Sequence, residues 1–292
     1  MFLSRKAQKY LIAFSFLIIP LILLGIFTYY PIVRGIVLSF ADYNMLRRTT
    51  KWVGFENYKY LFNYKYFYIA LGNSFKYLIV VPFIQFFSIL LAVLVNQKIP
   101  GIKFFRTLFY IPVITGAVIV SIAWRWIYDV DGLLNFMLLN LGIIKEPILW
   151  LSDKRIALFS AMFVTFWRGL GYYMVIYLAG LQNIPSELYE AAMIDGANKK
   201  QIFWKITIPL LRPTMLLCFL LSTLSALKVF EEVYLLTQGG AQTTTLLYEM
   251  YDLAFNRYQF GRSAALSVIF SGILIVFALL NFKFFGYRGE KS

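Results

Sequence analysis

The sequence predicts an all-α integral membrane protein with six transmembrane helices, folded as a single domain over residues 1–292. Of these residues 60% are hydrophobic and only 14% are charged, whereas soluble domains carry about 25% charged residues. The apolar residues lie in long blocks, and a membrane-spanning helix needs about 20 predominantly apolar residues. A soluble chain of this composition would have too little polar surface to cover its core, so we interpret the chain as a membrane protein.

The first block, at about 11–33, follows three basic residues near the N-terminus. Secretory signal peptides begin in the same way, but their apolar region has only roughly 7–15 residues and precedes a small-x-small cleavage site. This block is longer and no such site follows it, so we interpret it as a retained first helix. The complete set of predicted spans is about 11–33, 77–95, 108–127, 156–181, 214–230 and 264–284.

Six spans place both termini on one side of the membrane. Residues 96–106 and 182–213 lie with the termini, and the loops at about 41–69, 128–155 and 231–262 face the other side. Lys and Arg are slightly denser in the first group, and cytoplasmic loops carry an excess of these residues. The sequence therefore predicts that both termini are cytoplasmic.

Composition excludes several kinds of chemistry. The chain has no histidine, which removes a histidine base, a Ser-His-Asp triad and an imidazole metal site. Its single cysteine, Cys218, cannot form an intramolecular disulfide or a thiolate metal site. The net charge of +14 raises the question of nucleic acid, but in a membrane chain it reflects basic loops that face anionic lipid. We expect no metal, no cofactor and no nucleic acid partner.

The loop at about 182–209 differs from the others. Glu187 and Glu190 lie in the first turn of a predicted short helix, where the helix dipole favours negative charge. Gly196 follows as the residue type expected just beyond a helix C-terminus, and a second short helix is predicted from about Lys199. Such a pair of helices suits either docking onto another protein or lying on lipid headgroups.

The run Glu190-Ala191-Ala192, then Gly196, Ile206 and Ile208-Pro209, resembles the EAA loop of binding-protein-dependent ABC importers. The family usually has leucine where Ile208 stands. In that family the loop forms coupling helices that sit in a cleft of the cytoplasmic ATPase subunit. The resemblance implies a type I ABC importer permease fold, and it assigns ATPase coupling to Glu190, Ala191, Ala192, Asp195, Gly196, Ile206 and Pro209.

Two further segments extend the resemblance along most of the chain. Residues 235–240 are similar to the Leu-Thr-x-Gly-Gly stretch after the fifth span of sugar permeases, with Ala241 in place of the usual proline. Residues 38–44 and 53–58 look like the first permease subunit of maltose- and glycerol-phosphate-type importers. We expect no counterpart of the extra N-terminal helices of the maltose-type subunit.

The resemblance implies a transport subunit and not an enzyme. It implies a heterodimer with a second permease subunit, two ATPase subunits that bind ATP, and an extracytoplasmic solute-binding protein that delivers a sugar or oligosaccharide. The chain itself has no Gly-x-x-x-x-Gly-Lys-Ser/Thr sequence and therefore no P-loop for ATP. The expected location is the bacterial cell (inner) membrane, surrounded by lipid, as a multi-pass protein.

The resemblance also implies that spans four and five line the substrate path. The positions that contact sugar in the maltose case fall on Trp167, Leu170, Gly171 and Met174, and on Ser222, Ser225, Ala226 and Val229. Only Leu170, Gly171 and Ser222 keep the residue type of that case, which argues against maltose itself. Tyr173 joins the set as a ring that could stack on a sugar.

Each of these residues also has a structural interpretation. Trp and Tyr on a membrane helix are typical of the aromatic belt, and small Gly and Ser residues are common in contacts between helices. As a cluster, we interpret them as lining a path.

Arg168 is a charged residue within a predicted span, which is costly and marks a functional-site hypothesis. It could form a structural ion pair, for instance with an acidic group on the partner permease. Alternatively it could bind a carboxylate or phosphate of the substrate, for which its planar guanidinium is well suited. Lys228, Glu231 and Glu232 at the outer end of span five pose the same question, and we interpret them as a gate or a rim pairing.

Two other classes of protein fit the sequence less well. A secondary transporter would show inverted repeats and intramembrane carboxylates for ion coupling, and the predicted spans contain almost none. A membrane enzyme such as a lipid transferase would need general bases, which the chain largely lacks. Both leave the EAA loop unexplained. The sequence is compatible with four kinds of substrate, which are a disaccharide, a longer oligosaccharide, a uronic-acid-containing fragment and glycerol phosphate.

Overall fold

The computed structural model of the protein describes residues 5–44, 49–97 and 100–285. Over these residues the chain is predominantly α-helical, which confirms the predicted fold class. Lys98 and the C-terminal residues 286–292, which entered the prediction of membrane orientation, lie outside the described residues. The orientation therefore stays a prediction.

One compact unit comprises Met1–Tyr64 and Met250–Ser271. Its N-terminal elements are α1 (Arg5–Leu24), a single π-helical turn (Gly25–Tyr29), α2 (Tyr30–Leu38), β1 (Ala41–Asn44), β2 (Thr49–Trp52) and α3 (Glu56–Asn63). β1 and β2 pair antiparallel, with Ala41 opposite Trp52. The sequence does not predict this hairpin, because strands of four residues are too short to show a clear alternation of polar and apolar residues.

The hairpin is anchored by one asparagine. The Asn57 side-chain amide donates hydrogen bonds to the carbonyl oxygens of Ser39, at 2.9 Å, and Ala41, at 3.0 Å. The ring of Phe40 packs on that of Phe55, with centroids 5.2 Å apart. The two early sequence segments that resemble importer permeases, residues 38–44 and 53–58, therefore contact each other.

The second compact unit comprises Lys65–Glu249 and Gly272–Ser292. Its first helices are α4 (Lys65–Tyr77), α5 (Val80–Val95), α6 (Ile102–Ile114), α7 (Ala117–Ile127), α8 (Leu133–Asn140) and α9 (Ala157–Gln182). They are followed by α10 (Ser186–Ile194), α11 (Lys199–Ile202), α12 (Ile208–Leu210), α13 (Arg212–Leu227) and α14 (Glu231–Leu236). The last helices, α15 (Leu246–Tyr251) and α16 (Phe260–Phe285), contribute residues to both units.

The core of the second unit is formed around α9, which packs against α5, α6, α13 and α14. Tyr77, Met174, Tyr177 and Leu211 are fully buried there. Burying such large apolar side chains contributes roughly 1.5–3 kcal/mol each. This packing fixes the helices that surround the candidate site.

Within the described residues, four helical stretches are long and apolar enough to cross a membrane. They are Phe14–Leu38, Lys65–Val95, Arg212–Leu236 and Phe260–Lys283, and they correspond to the predicted spans one, two, five and six. The predicted fourth span corresponds to α9, which has 26 residues but is made less apolar by Arg168 and by its glycines and tyrosines. The count of six spans therefore stays a prediction.

The predicted third span, 108–127, differs most from the structure. In place of one helix there are two, α6 and α7, bent by 96° relative to each other. Thr115 and Gly116 at the break have extended backbones, with ψ of 127° and 141°. The apolar block is continuous across this break, so its composition predicts one span although the backbone changes direction. α6 packs against α9, whereas α7 packs against α14.

Candidate functional site

The loop between α9 and α13 has a defined backbone. At the end of α10 the Ala197 amide donates to the Ala192 carbonyl at 2.9 Å, and the Gly196 amide donates to that of Met193 at 3.1 Å. These two bonds form a Schellman motif, which needs a left-handed residue just beyond the helix. Gly196 supplies it with φ of +79°, a conformation that costs glycine little.

The second part of the loop begins with a reciprocal cap. The Gln201 amide donates to Asn198 Oδ1 at 2.9 Å, and the Asn198 amide donates to Gln201 Oε1 at 2.8 Å. This capping box starts α11 without an acidic residue. The chain continues through a π-helical turn at Phe203–Thr207 into α12, which contains Pro209. The Tyr189 and Thr207 hydroxyls, 3.3 Å apart, connect the two parts.

The residues assigned to ATPase coupling have different exposures. Asp195, Gly196 and Ile206 line one groove of about 400 Å³ on the second part of the loop. Glu190, Ala191 and Pro209 are exposed, whereas Ala192 is buried. Some of these residues therefore line a groove, others are exposed, and Ala192 packs in the interior.

A second feature is a cavity of about 560 Å³ between α9, α13 and α14. Its volume lies in the range of small-molecule sites. It is lined by Val113, Thr165, Arg168, Gly169, Tyr172, Tyr173, Leu221, Ser225, Lys228, Val229, Phe230, Glu231, Glu232 and Leu247. The cavity thus combines aromatic rings, hydroxyl groups and four charged side chains.

Four residues of the predicted substrate path line this cavity: Arg168, Tyr173, Ser225 and Val229. The others lie elsewhere on α9 and α13, and they are Trp167, Leu170, Gly171, Met174, Ser222 and Ala226. Of these, Met174 and Ala226 are buried in the core. Trp167 packs edge-on against Trp124, with ring centroids 5.5 Å apart. The Leu170 carbonyl accepts a hydrogen bond from Ser88 Oγ at 3.1 Å.

Gly171 lies at a close approach of α9 to α6. A Cβ atom at this position would be only 2.0 Å from the carbonyl oxygen of Phe109 and 3.1 Å from Val113 Cγ2. Small residues permit such close contact between membrane helices. Gly171, which the resemblance places on the substrate path, is therefore covered by the backbone of α6.

Ser222 belongs to a buried polar network. Gln85 Nε2 donates to Ser222 Oγ at 2.6 Å and to the Cys218 carbonyl at 3.1 Å. Gln85 Oε1 accepts a hydrogen bond from the Tyr177 hydroxyl. Gln85 thereby connects α5 with α9 and α13, and its buried amide is satisfied. Sequence reasoning missed it, although an amide in an otherwise apolar span was a usable signal.

Arg168 forms ion pairs within this chain. Its Nη1 atom lies 3.3 Å from Glu231 Oε2 and 3.1 Å from Glu232 Oε1. The carboxylates that pair with Arg168 therefore belong to α14 of the same chain. Among the described residues no carboxylate pairs with Lys228, so the expected rim pairing of Lys228 with these two glutamates is not formed. The described residues also include no cluster of metal-ligating side chains.

The segment after α14 has an unusual backbone. Gln238, Gly239, Ala241 and Gln242 all have positive φ, between +49° and +70°. The Tyr248 hydroxyl donates to the Gln238 carbonyl at 2.5 Å and fixes this turn. Ala241 has φ of +49°, which proline cannot adopt because its ring holds φ near −65°. The alanine at the usual proline position therefore matches the backbone found there.

Comparison with known proteins agrees with this arrangement. Residues 63–286 match the family model described as "Binding-protein-dependent transport system inner membrane component". The chain is 37% identical to the Probable ABC transporter permease protein YesP of Bacillus subtilis (strain 168), over 89% of this chain and 86% of that protein. It is 36% identical to the Lactose transport system permease protein LacF of Rhizobium radiobacter, over 92% and 91% of the two chains.

A solved structure has the same fold. It is that of a bacterial ABC transporter involved in the import of the acidic polysaccharide alginate, with a TM-score of 0.86 and 23% identity over 98% of this chain and 99% of that chain. At this identity the match establishes the fold alone. The family model and the relatives with more than 30% identity establish the family. The chain belongs to the inner membrane components of binding-protein-dependent transport systems.

Proposed function

We propose that the chain is the permease subunit through which an ATP-driven importer moves a sugar or oligosaccharide across the membrane. It is a transport subunit and not an enzyme. The proposal rests on the presence, in the same chain, of an exposed EAA-type loop and a cavity lined by polar and aromatic side chains. Among its relatives are the lactose permease protein and the Multiple sugar-binding transport system permease protein MsmF of Streptococcus mutans serotype c (strain ATCC 700610 / UA159), 32% identical over 96% of this chain and 97% of that protein.

The surface of α10 supports docking onto a protein. Ile194 and Met193 are 86% and 58% exposed, an unusual degree for large apolar side chains. Glu187 and Glu190 are exposed on the same helix. Helices that rest on anionic lipid are instead rich in Lys and Arg. An apolar surface with acidic neighbours suits a cleft in an ATPase subunit, and we assign it that role.

The cavity supports sugar as cargo. Tyr172 and Phe230 provide rings on which the C–H face of a sugar can stack, and Ser225 and Thr165 provide hydroxyl groups. Ligand sites of this kind combine apolar and aromatic walls with a few polar groups that fix orientation. Of the predicted path residues, those that line the cavity contact the substrate in this proposal, and the remaining ones pack its walls.

The complete importer requires partners. In this proposal a second permease subunit completes the pathway, two ATPase subunits bind the coupling loops, and an extracytoplasmic binding protein delivers the sugar. A solved structure of the alginate importer in complex with an alginate pentasaccharide-bound periplasmic protein, with a TM-score of 0.82 and 23% identity, gives a precedent for the last partner. Both termini and the loop at 182–209 then face the cytoplasm.

The test uses proteoliposomes that contain the chain, its partner permease, the ATPase and the binding protein. Sugar-stimulated ATP hydrolysis and sugar uptake are measured for Gly196→Val and for the control Gly196→Asn. Valine is strongly disfavoured at φ of +79°, whereas asparagine tolerates it. We expect valine to reduce uptake on the order of tenfold or more, with asparagine close to the parent.

Two results would contradict the proposal. Equal uptake in both Gly196 variants would remove the coupling role of the loop. Absence of stimulation by every saccharide tested, in a complex that assembles, would remove sugar as the cargo.

A further inference from the structure

We infer that the cavity binds an uncharged saccharide, and that Arg168 positions two carboxylates instead of receiving an anionic group of the substrate. This inference rests on the proposed function. It selects among the substrates that the sequence leaves open, and it disfavours uronic-acid-containing fragments and glycerol phosphate.

The charged side chains that line the cavity balance one another. Its lining contains two cations, Arg168 and Lys228, and two carboxylates, Glu231 and Glu232. The formal charges sum to zero. A cavity for an acidic saccharide would be expected to carry a cationic excess, because each substrate carboxylate needs compensation in a site shielded from water.

Arg168 is already paired with two carboxylates. One of its terminal nitrogens, Nη1, contacts the carboxylates of both Glu231 and Glu232. The side chain of Glu232 is only 9% exposed, so a substrate anion that took its place on Arg168 would leave a buried carboxylate without a partner. Removing one partner of a buried pair is strongly unfavourable. An anion that joined the pair would add a third negative charge to one guanidinium.

An uncharged saccharide gains hydrogen-bond partners in this cavity. Arg168 engages Oε2 of Glu231, whose side chain is 55% exposed, and this leaves Oε1 available to accept hydrogen bonds from sugar hydroxyls. Bonds of a hydroxyl to a carboxylate are short and strong. Lys228 lines the same cavity and supplies N–H donors. Arg168 is therefore a positioning residue that holds the acceptor of Glu231 toward the cavity.

The experiment compares saccharides that differ only in charge. The permease heterodimer with its ATPase, free of nucleotide and without the binding protein, is titrated calorimetrically with cellobiose and with cellobiouronic acid, and with longer matched pairs. The neutral member should bind at least roughly tenfold more tightly. Omitting the binding protein ensures that the permease alone makes the selection.

Variants then locate the selection in the cavity. Glu231→Gln removes one negative charge from the lining and should reduce the neutral-to-acidic affinity ratio by about fivefold or more. Glu146→Gln is the matched control, because Glu146 is exposed in the loop before α9 and lies outside the cavity. It makes the same change in net charge and should leave the ratio unchanged. Arg168→Lys should preserve the preference better than Arg168→Gln, since lysine still pairs with the carboxylates.

The outcomes are distinguishable. Equal or tighter binding of the acidic member overturns the inference and leaves sugar import standing. No binding of either member, together with sugar-stimulated ATP hydrolysis in the full complex, overturns the assignment of this cavity. No binding and no stimulation overturns the proposed function and the inference with it.

Discussion

Replacing Gly171 by alanine tests the close approach of α6 to α9. The new Cβ would lie 2.0 Å from the Phe109 carbonyl oxygen. Close carbon–oxygen contacts in proteins begin at about 3.3 Å, so the two helices must separate by at least about 1.3 Å. The obstacle is backbone, which cannot rotate aside as the end of a flexible side chain can.

The expected cost follows from two opposing effects. Overpacking a well-filled interior destabilises by about 1–3 kcal/mol, and because the obstacle here is backbone we expect a cost near the upper end, about 2–3 kcal/mol. Alanine in place of glycine within a helix stabilises the folded protein by up to about 1 kcal/mol, because alanine has the higher helix propensity. We therefore expect a net loss of about 1–2 kcal/mol for Gly171→Ala, which corresponds to an unfolding midpoint lower by about 2–8 °C. Gly171→Val should lower it further.

The assay is thermal unfolding of the purified protein in detergent, followed by tryptophan fluorescence. Gly72→Ala is the matched control, because Gly72 lies within α4 and a Cβ there would meet nothing within 4 Å. Its midpoint should be unchanged or slightly higher. Equal midpoints for Gly171→Ala and Gly72→Ala would refute the close helix contact.

Two further predictions concern buried side-chain amides and use the same unfolding assay. Asn57→Ala removes both hydrogen bonds that anchor the hairpin and should lower the free energy of unfolding by about 1–3 kcal/mol. The control Asn63→Ala, on the exposed side of the same helix, should change the free energy of unfolding by less than about 0.5 kcal/mol. Equal effects of the two substitutions would contradict the role of Asn57 as an anchor. Gln85→Leu removes the acceptor of the Tyr177 hydroxyl as well as two donated bonds, so it should destabilise by about 1–3 kcal/mol and by more than Ser222→Ala. An unchanged midpoint for Gln85→Leu would count against the buried network.

Local rules predicted the parts of the structure that depend on neighbouring residues. Gly196 was expected just beyond a helix C-terminus, and it adopts the left-handed conformation that ends α10. Long apolar blocks located the four described helical stretches that are long enough to cross a membrane, because length and composition suffice for that purpose. The bend between α6 and α7 was not predicted, since apolarity carries no information about helix direction.

The site was predicted less completely, because it depends on packing between distant parts of the chain. The cost of a charge within a span identified Arg168, but its partners are 63 and 64 residues away and meet it only through the packing of α14. Gly171 was expected on the substrate path, but it lies against the backbone of α6 and does not line the cavity. The same cost argument, applied to uncharged amides, would have identified Gln85.

The break between α6 and α7 has a mechanical consequence. The backbone bonds on either side of it, from Thr115 to Ile111 and from Val120 to Gly116, remain within their own helix. A displacement of one helix along its axis is therefore not transmitted to the other through a continuous helical backbone. α6 packs against α9, which carries Arg168, and α7 packs against α14, which carries Glu231 and Glu232. The two residues at the break, Thr115 and Gly116, therefore form a hinge between α6 and α7. Each of these two helices supports one side of the ion pair.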